Sequence, residues 1–233
     1  MYGSTINIFD ESRLSPNTVI FLSTLWFRTD WTTNFNREHT QQDTFYNDKG
    51  QELIVSMMNR ESLDGIFDCP DHNFRIIFSS LTTPNMFSAI VLPRDENTVH
   101  DVLKNFKINE LKTYFDQSKL KYVKLKLPKF TIRAKNDFEN ILMNFGITDI
   151  FDQTSADFGR MTSQNVFIGS LVQVSNMVID EGDMVKTDSN PQMQKSNSEP
   201  YHFFVTRPFL VFIYSSAEKA VIISAVVTHP NVV

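Results

Sequence analysis

The chain has 233 residues, of which 41% are hydrophobic and 21% are charged, and its formal net charge is −5. This length accommodates one large domain or two small ones, and the composition is that of an ordinary globular protein rather than a disordered one. The negative net charge and the lack of a long Lys/Arg block exclude nucleic acid and an anionic membrane surface as expected partners.

Cysteine usage and the N-terminus bear on the cellular compartment. The single cysteine, Cys69, excludes an internal disulfide and is typical of a reducing compartment. The N-terminal stretch MYGSTINIFDESRLSP lacks the basic start and apolar core of a signal peptide, and no apolar run reaches the length of a membrane helix. We therefore expect a cytoplasmic protein for the chain as it stands, and an extracellular one if a longer N-terminus exists.

The first half of the chain predicts mostly strands. The run TVIFLSTLWF at 18–27 is almost continuously apolar, β-branched or aromatic, which predicts a strand buried on both faces. Turn residues in NDKG at 47–50 separate two apolar segments and predict a hairpin. The remaining strands predicted here, with the two arms of that hairpin, are Thr44–Tyr46, Glu52–Met58, Phe74–Phe78 and Phe87–Leu92.

Two segments show helical periodicity, 97–106 and 136–146, because their apolar residues recur at i, i+3, i+4 and i+7. In the second segment Asn136 is a candidate N-cap with Glu139 three residues later, and Gly146 stands where a left-handed C-cap belongs. Between the helices, KLKYVKLKLPK alternates lysine with apolar residues, which predicts a strand with one solvated face and a bulge at Pro128.

The C-terminal third has an unusual layout. An apolar run from Val166 and a very apolar hairpin from Phe203 flank residues 183–200, which contain few apolar side chains and no periodicity. A loop of this length inside a compact domain is either functional or disordered. The whole pattern predicts one β-rich domain of the α+β class.

No motif for catalysis or for cofactor binding is present in the sequence. Cys69 and His72 in CPDH supply only two metal ligands, so a turn with an inert thiol is the better interpretation. Asp152 and Asp157 flank a polar loop, but surface acids are far commoner than catalytic pairs. We therefore expect no enzymatic activity, no metal and no cofactor.

Several motifs, in chain order, resemble those of the serpin (serine protease inhibitor) family. The tract LKLPKFTIRAKNDFENILMNFGITDIFD at 125–152 resembles the family's "LPKF", a helix, and "GI-T-D-hydrophobic-F". FLSTLWFRTDWTTNF at 21–35 resembles a central strand of the family's large sheet, with Trp31 at the family's tryptophan. Further matches to family segments, covering nearly the whole chain, are SAIVLP at 88–93, SADFGRMT at 155–162 and TRPFLVFI at 206–213.

The resemblance implies a truncated serpin-like fold over residues 1–233: a large mixed β-sheet, a buried C-terminal β-hairpin and a few helices. The family's N-terminal helices and two strands of its large sheet have no counterpart, so strands that the family buries would lose cover on one face. The resemblance also implies an inhibitor whose partner is a serine or cysteine protease. In serpins the protease cleaves the reactive-centre loop, which then inserts into the large sheet and traps the acylated protease.

Residues at about 180–200 correspond to the reactive-centre loop of the family. The hinge that precedes the loop in inhibitory serpins reads acid-acid-Gly-Thr, followed by small residues. Here Asp180, Glu181 and Gly182 retain the acid-acid-Gly part, and Asp183 departs from it.

The residues after the hinge oppose insertion into a sheet. In the ungapped register Asp183 and Pro191 would turn inwards. Burial of an unpaired carboxylate costs several kcal/mol, and proline removes a ladder donor. A shift by one residue would instead turn Met184 and Lys186 inwards. The sequence therefore favours a non-inhibitory or substrate-like loop over a trapping one.

Three residues are candidates for the reactive site. Counting forward from Gly182 by the family's spacing reaches Ser196, and counting back from Pro208 reaches Asn197. Lys195 is adjacent, and as a cleavage residue it would attract trypsin-like proteases. A polar loop without a cognate protease stays open as the alternative.

Overall fold

The computed structural model describes residues 15–28, 30–182 and 199–230. In this part of the chain three short helices accompany many strands, which confirms the α+β class. The elements are β1 (Thr18–Arg28), β2 (Gln41–Tyr46), β3 (Glu52–Phe67), β4 (Phe74–Ser80), β5 (Met86–Pro93), α1 (Val99–Asn105), α2 (Leu111–Asp116), β6 (Lys119–Pro128), β7 (Phe130–Asp137), α3 (Glu139–Asn144), β8 (Phe167–Ile179), β9 (Tyr201–Phe204), β10 (Phe209–Ser215) and β11 (Ala220–Val227).

The chain divides into two compact units. The described residues of the first unit are 15–27 and 132–177, and those of the second are 28, 30–131, 178–182 and 199–230. The second unit contains an eight-stranded mixed sheet. Seven strands follow the order β11-β10-β5-β4-β3-β6-β9, and the eighth, β2, is hydrogen-bonded to β3. The pairing of β6 with β9 is parallel, whereas the other pairs of this sheet are antiparallel.

The predicted hairpin at 44–58 is confirmed as β2 and β3, which pair from Tyr46↔Glu52 to Gln41↔Met57. The Asn47 side-chain oxygen accepts hydrogen bonds from the backbone N–H groups of Lys49 and Gln51, and Gly50 adopts a positive φ of 75°. Asparagine and glycine therefore supply the turn chemistry expected of them. β3 continues to Phe67, well beyond the predicted arm, and pairs with β6 over this second half.

One hydrophobic core of the second unit lies between its sheet and the helices α1 and α2. α1 begins with a capping box, in which Thr98 and Asp101 exchange side-chain and backbone hydrogen bonds, so the first predicted helix is confirmed. α2 was not predicted from the sequence. Aromatic rings dominate the packing, and Phe106 stacks on Phe212 with centroids 5.2 Å apart. The buried residues of this cluster are Phe67, Phe74, Ile76, Phe78, Ala89, Val91, Val99, Val102, Leu111, Tyr114, Leu210, Phe212 and Tyr214.

Two further strand predictions are confirmed, and one detail is wrong. In β6, Val123, Leu125 and Leu127 are buried while the intervening lysines are not, and every residue of β10, which forms a hairpin with β11, is buried. Pro128 does not form a bulge. It ends β6, after which the Lys129 N–H donates to the Ser56 carbonyl and the chain continues into β7, a strand of the other sheet.

The first unit contains a three-stranded sheet in the order β1-β8-β7. β1 is a strand, as predicted, but it is not buried on both faces. Phe21 is 54% exposed and Trp26 is 61% exposed, so the faces of β1 are not fully covered, and β1 is also the edge strand of this sheet. The apolar sequence of β1 is typical of a strand packed on both faces, but the described residues leave several of its side chains exposed.

The second predicted helix, α3, is shorter than the segment 136–146 over which the apolar periodicity predicted it. α3 begins at Glu139 because Asn136 is still part of β7, so Asn136 does not cap it, and its first turn is preceded by Phe138. The apolar set predicted to face a core is only partly covered, since Phe145 is 80% exposed. The expected left-handed residue after the helix is present, as Gly146 has a φ of 82°.

Candidate functional site

The strongest candidate site is the hinge that follows β8. The residues Asp180, Glu181 and Gly182 leave the end of that strand, and Glu199 is the next described residue of the chain. All three hinge residues and the groups that bind them belong to the second unit.

Asp180 is held through both its side chain and its backbone. The Arg28 guanidinium donates from Nε at 3.1 Å and pairs from Nη2 at 3.0 Å with the Asp180 Oδ2 atom. The Trp31 indole Nε1–H donates to the Asp180 carbonyl at 2.7 Å. The other carboxylate oxygen, Oδ1, accepts from the Gly182 N–H at 3.0 Å, so Asp180 also shapes the turn of the hinge.

Glu181 is the most buried acid of the hinge, with 4% of its surface exposed. Its Oε1 atom accepts a hydrogen bond from the Thr40 hydroxyl at 2.8 Å, and its Oε2 atom pairs with Lys129 Nζ at 2.8 Å. Burial by itself raises the pKa of Glu181. Hydrogen bonds from Lys129, from its own backbone and from Thr40 outweigh burial and hold the pKa below its ordinary value. Glu181 is therefore ionised and fully partnered at neutral pH.

Gly182 occupies a position that only glycine fits without strain. Its φ is +81°, and a Cβ atom built on it would lie 2.9 Å from Asn34 Oδ1 and 3.5 Å from Trp31 Cδ1. The backbone conformation therefore favours glycine here, and any larger residue would also displace the end of the Asn34 side chain. Trp31 itself is 1% exposed and packs edge-on against Phe35 with centroids 5.4 Å apart.

The chain is fixed again where the described residues resume. In β9 the Tyr201 hydroxyl donates to Asp68 Oδ2 at 2.6 Å, and the Arg75 guanidinium donates to the His202 carbonyl at 3.3 Å. The Lys121 ammonium lies 4.4 Å from the centroid of the Tyr201 ring. Residues 183–198 thus run between two flanks that are each tied to the second unit.

The structure brings together three of the residues predicted for this site. Asp180, Glu181 and Gly182 form one continuous, hydrogen-bonded hinge. The fourth predicted hinge residue and the reactive-site candidates lie outside the described residues; these are Asp183, Lys195, Ser196 and Asn197.

Sequence reasoning missed the partners of the hinge. Trp31 was identified only as a family landmark, and Lys129 only as part of "LPKF". Thr40 is 141 positions from Glu181, and Arg28 is 152 positions from Asp180. No local pattern links residues so far apart, although a buried acid does predict that a cation lies nearby.

The other residues weighed for chemistry have structural roles. Cys69 lies in a turn closed by the His72 N–H, and the His72 ring packs 5.0 Å from that of Phe74. Asp152 accepts hydrogen bonds from two backbone N–H groups of its own turn, and Asp157 accepts one from Gly159. Among the described residues, no group of three or more His, Cys, Asp or Glu is placed to hold a metal ion. In the same residues no helix has the length and apolar character to cross a membrane.

Comparison with known proteins covers almost the whole chain. A family model described as "Serpin (serine protease inhibitor)" matches residues 3–230. The chain is 24% identical to human glia-derived nexin, over 94% of this chain and 58% of that protein. It is 22% identical to serine protease inhibitor 88Ea of Drosophila melanogaster, over 97% and 58%. The solved structure of native protease nexin-1 with heparin matches with a TM-score of 0.84 at 23% identity, over 96% of this chain and 61% of that one. The chain thus spans 58% to 61% of the length of these proteins.

Proposed function

The chain belongs to the serpin family, and from this premise we propose that it is an endopeptidase inhibitor that presents the loop between β8 and β9 to a serine-type or cysteine-type protease. In this role the protein is the ligand of an enzyme and not an enzyme itself. The loop offers the protease a scissile bond near Lys195, Ser196 or Asn197, and the folded body supplies the two flanks.

One observation carries this proposal, namely the way in which the hinge is fastened. Asp180 and Glu181 are bound by four side chains of the second unit, and Gly182 donates to Asp180, so the start of the loop leaves the fold from a defined position. A flank of this kind supports a loop that is recognised in an extended form, because less conformational entropy is lost on binding. Relatives named as protease inhibitors support the same interpretation.

A non-inhibitory role is the second candidate, and the sheet of the first unit favours it. β1 and β8 are hydrogen-bonded neighbours, and if the loop were to insert between these two strands it would have to break the ladder that joins them. In the ungapped register Asp183 and Pro191 would turn inwards and recover little of the lost free energy, since one is a charge and the other lacks a donor. A loop that is cleaved but does not insert would make the protein a substrate or a binding module.

Incubation with trypsin separates the two candidates. An inhibitor forms a complex with the protease that survives SDS, whereas a substrate is only nicked. The variant Lys195→Gln should abolish both products if Lys195 is the cleavage residue, and Lys186→Gln is the matched control, since it removes the other lysine of the same loop. Cleavage that Lys186→Gln removes and Lys195→Gln does not would contradict the assignment of the reactive site.

Urea unfolding before and after nicking tests insertion directly. A large gain in the unfolding midpoint after cleavage is expected of a loop that inserts, and an unchanged midpoint is expected of one that does not. The absence of both a complex and of specific cleavage, with trypsin-like and cysteine proteases alike, would overturn the proposed function.

A further inference from the structure

A buried arginine lies beneath the tryptophan that holds the hinge. The side chain of Arg60, in β3, is only 4% exposed. Its guanidinium carbon is 5.1 Å from the centroid of the Trp31 ring and 4.7 Å from that of Phe35. A guanidinium stacked on two aromatic faces is attracted by both rings, most strongly where water is excluded.

Arg60 is itself held by a buried polar cluster. Its Nη2 atom donates to Asp64 Oδ1 at 3.0 Å and to the Ser79 hydroxyl at 2.8 Å, and the Ser62 hydroxyl donates to Asp64 Oδ2 at 2.6 Å. Since residues 60, 62 and 64 alternate along one strand, their side chains share the inward face, where apolar residues are the rule. A buried ion pair contributes little net stability compared with an apolar pair of the same size. Its presence here therefore points to a positional role.

The same guanidinium reaches the backbone next to the hinge. Arg60 Nη1 donates to the Thr33 carbonyl at 2.6 Å. Arg60 thus fixes the segment 31–35 at three points: the Trp31 ring, the Phe35 ring and the Thr33 carbonyl. This segment carries both groups that confine the hinge from one side, the Trp31 indole on the Asp180 carbonyl and the Asn34 side chain against Gly182.

We propose that Arg60 is a positioning residue for the hinge: anchored by Asp64, it holds Trp31 in the orientation in which the indole binds the Asp180 carbonyl. The hinge can leave its position only when that indole bond breaks. Arg60 therefore sets part of the barrier to hinge opening, although it touches neither the loop nor a protease. Its consequence for inhibition rests on the proposed function, whereas its effect on the hinge does not.

Hydrogen exchange at two protons measures hinge opening directly. The Trp31 indole N–H is bonded to the Asp180 carbonyl, and the Gly182 N–H is bonded to Asp180 Oδ1. The chain has two tryptophans, so a Trp26→Phe background leaves the Trp31 indole as the single indole signal in an NMR spectrum. The exchange rate of the Trp31 indole N–H and the quenching of Trp31 fluorescence by acrylamide then both report hinge opening.

Two variants remove the contacts of Arg60 with Trp31, Phe35 and Thr33 in different ways. Arg60→Lys keeps the charge beside Asp64 but loses the planar stacking and the fork of donors. The pair Arg60→Met with Asp64→Asn removes both buried charges, so that no ion is left unpaired. In both we expect the indole and Gly182 protons to exchange about tenfold faster, which corresponds to an interaction of about 1.4 kcal/mol.

Arg94→Met is the matched control. Arg94 also pairs with a carboxylate, Asp68, and also donates to backbone carbonyls of its unit, those of His72 and Cys69. Its loss should lower the unfolding midpoint and leave the exchange of the two hinge protons unchanged.

Any of three results would overturn the proposed positioning role of Arg60. The first is unchanged exchange of the hinge protons in folded Arg60 variants, and the second is equal acceleration in Arg94→Met. The third is loss of folding in every Arg60 variant, because it would assign the residue a purely structural role. These measurements involve no protease. Faster exchange in the Arg60 variants, together with no protease complex, would therefore support the positioning role of Arg60 and refute the proposed function instead.

Discussion

Substitution of Gly182 by alanine tests whether the hinge is as tightly enclosed as its geometry indicates. The φ of +81° costs an alanine about 1–2 kcal/mol. The added Cβ would lie 2.9 Å from Asn34 Oδ1, and displacing the end of that side chain costs about 1 kcal/mol more. We therefore expect Gly182→Ala to lower the free energy of unfolding by about 2–3 kcal/mol.

Gly50→Ala is the matched control for this experiment. Gly50 has a φ of +75° in the same unit, but nothing lies within 4 Å of a Cβ built on it, so only the backbone strain applies. Urea unfolding followed by Trp31 fluorescence, in the Trp26→Phe background, measures both variants in the second unit. The double variant Gly182→Ala with Asn34→Ala should recover the excess cost. A loss no greater for Gly182→Ala than for Gly50→Ala would refute the close approach.

Three further outcomes are expected. Since the folded-state pKa of Glu181 lies below its ordinary 4.5, its contribution to stability is present above about pH 4.5 and is lost as the pH falls through the lowered pKa. Unfolding curves of Glu181→Gln should therefore depend less on pH in that acid range than those of the parent. Trp26→Lys places a charge on an exposed edge strand and should suppress self-association in light scattering, whereas Trp26→Phe should not. Tyr201→Phe removes the bond to Asp68 and should cost about 1 kcal/mol in urea unfolding, whereas Tyr46→Phe, at a side chain that is 46% exposed, should cost almost nothing.

The strands and turns were largely predictable because their causes are local. Alternation in β6, the asparagine and glycine of the turn at 47–50, and the capping box of α1 each depend on a few neighbouring residues. α3 was misplaced because a 3.6-residue pattern identifies an apolar face without showing whether anything covers it. β1 was expected to be fully buried for the same reason. An apolar run indicates that a strand is suited to burial, but it does not show whether other residues pack against it.

The site was predictable only in part. The acid-acid-Gly tripeptide was found by resemblance, and a buried acid implies some partner. The identity of those partners depends on tertiary contacts. Arg60 shows the limit most clearly: polar residues at inward positions of β3 contradict a simple alternation, and the conflict is resolved only by the rings of Trp31 and Phe35, which come from another part of the chain.

The place of β10 in the larger sheet has a consequence for the order of events during biosynthesis. β10 lies between β5 and β11 in the sheet, yet it follows its neighbour β5 only after β6, β7, β8 and β9 in the chain, so it is synthesised long after β5. Until then β5 presents an open edge that carries Ile90 and Val91, two residues that are buried in the finished sheet. An unpaired apolar edge can pair with other chains, so we expect the nascent chain to be prone to aggregation until β10 emerges. The C-terminal hairpin closes the sheet, and chains that stop before Phe209 are expected to enter the insoluble fraction.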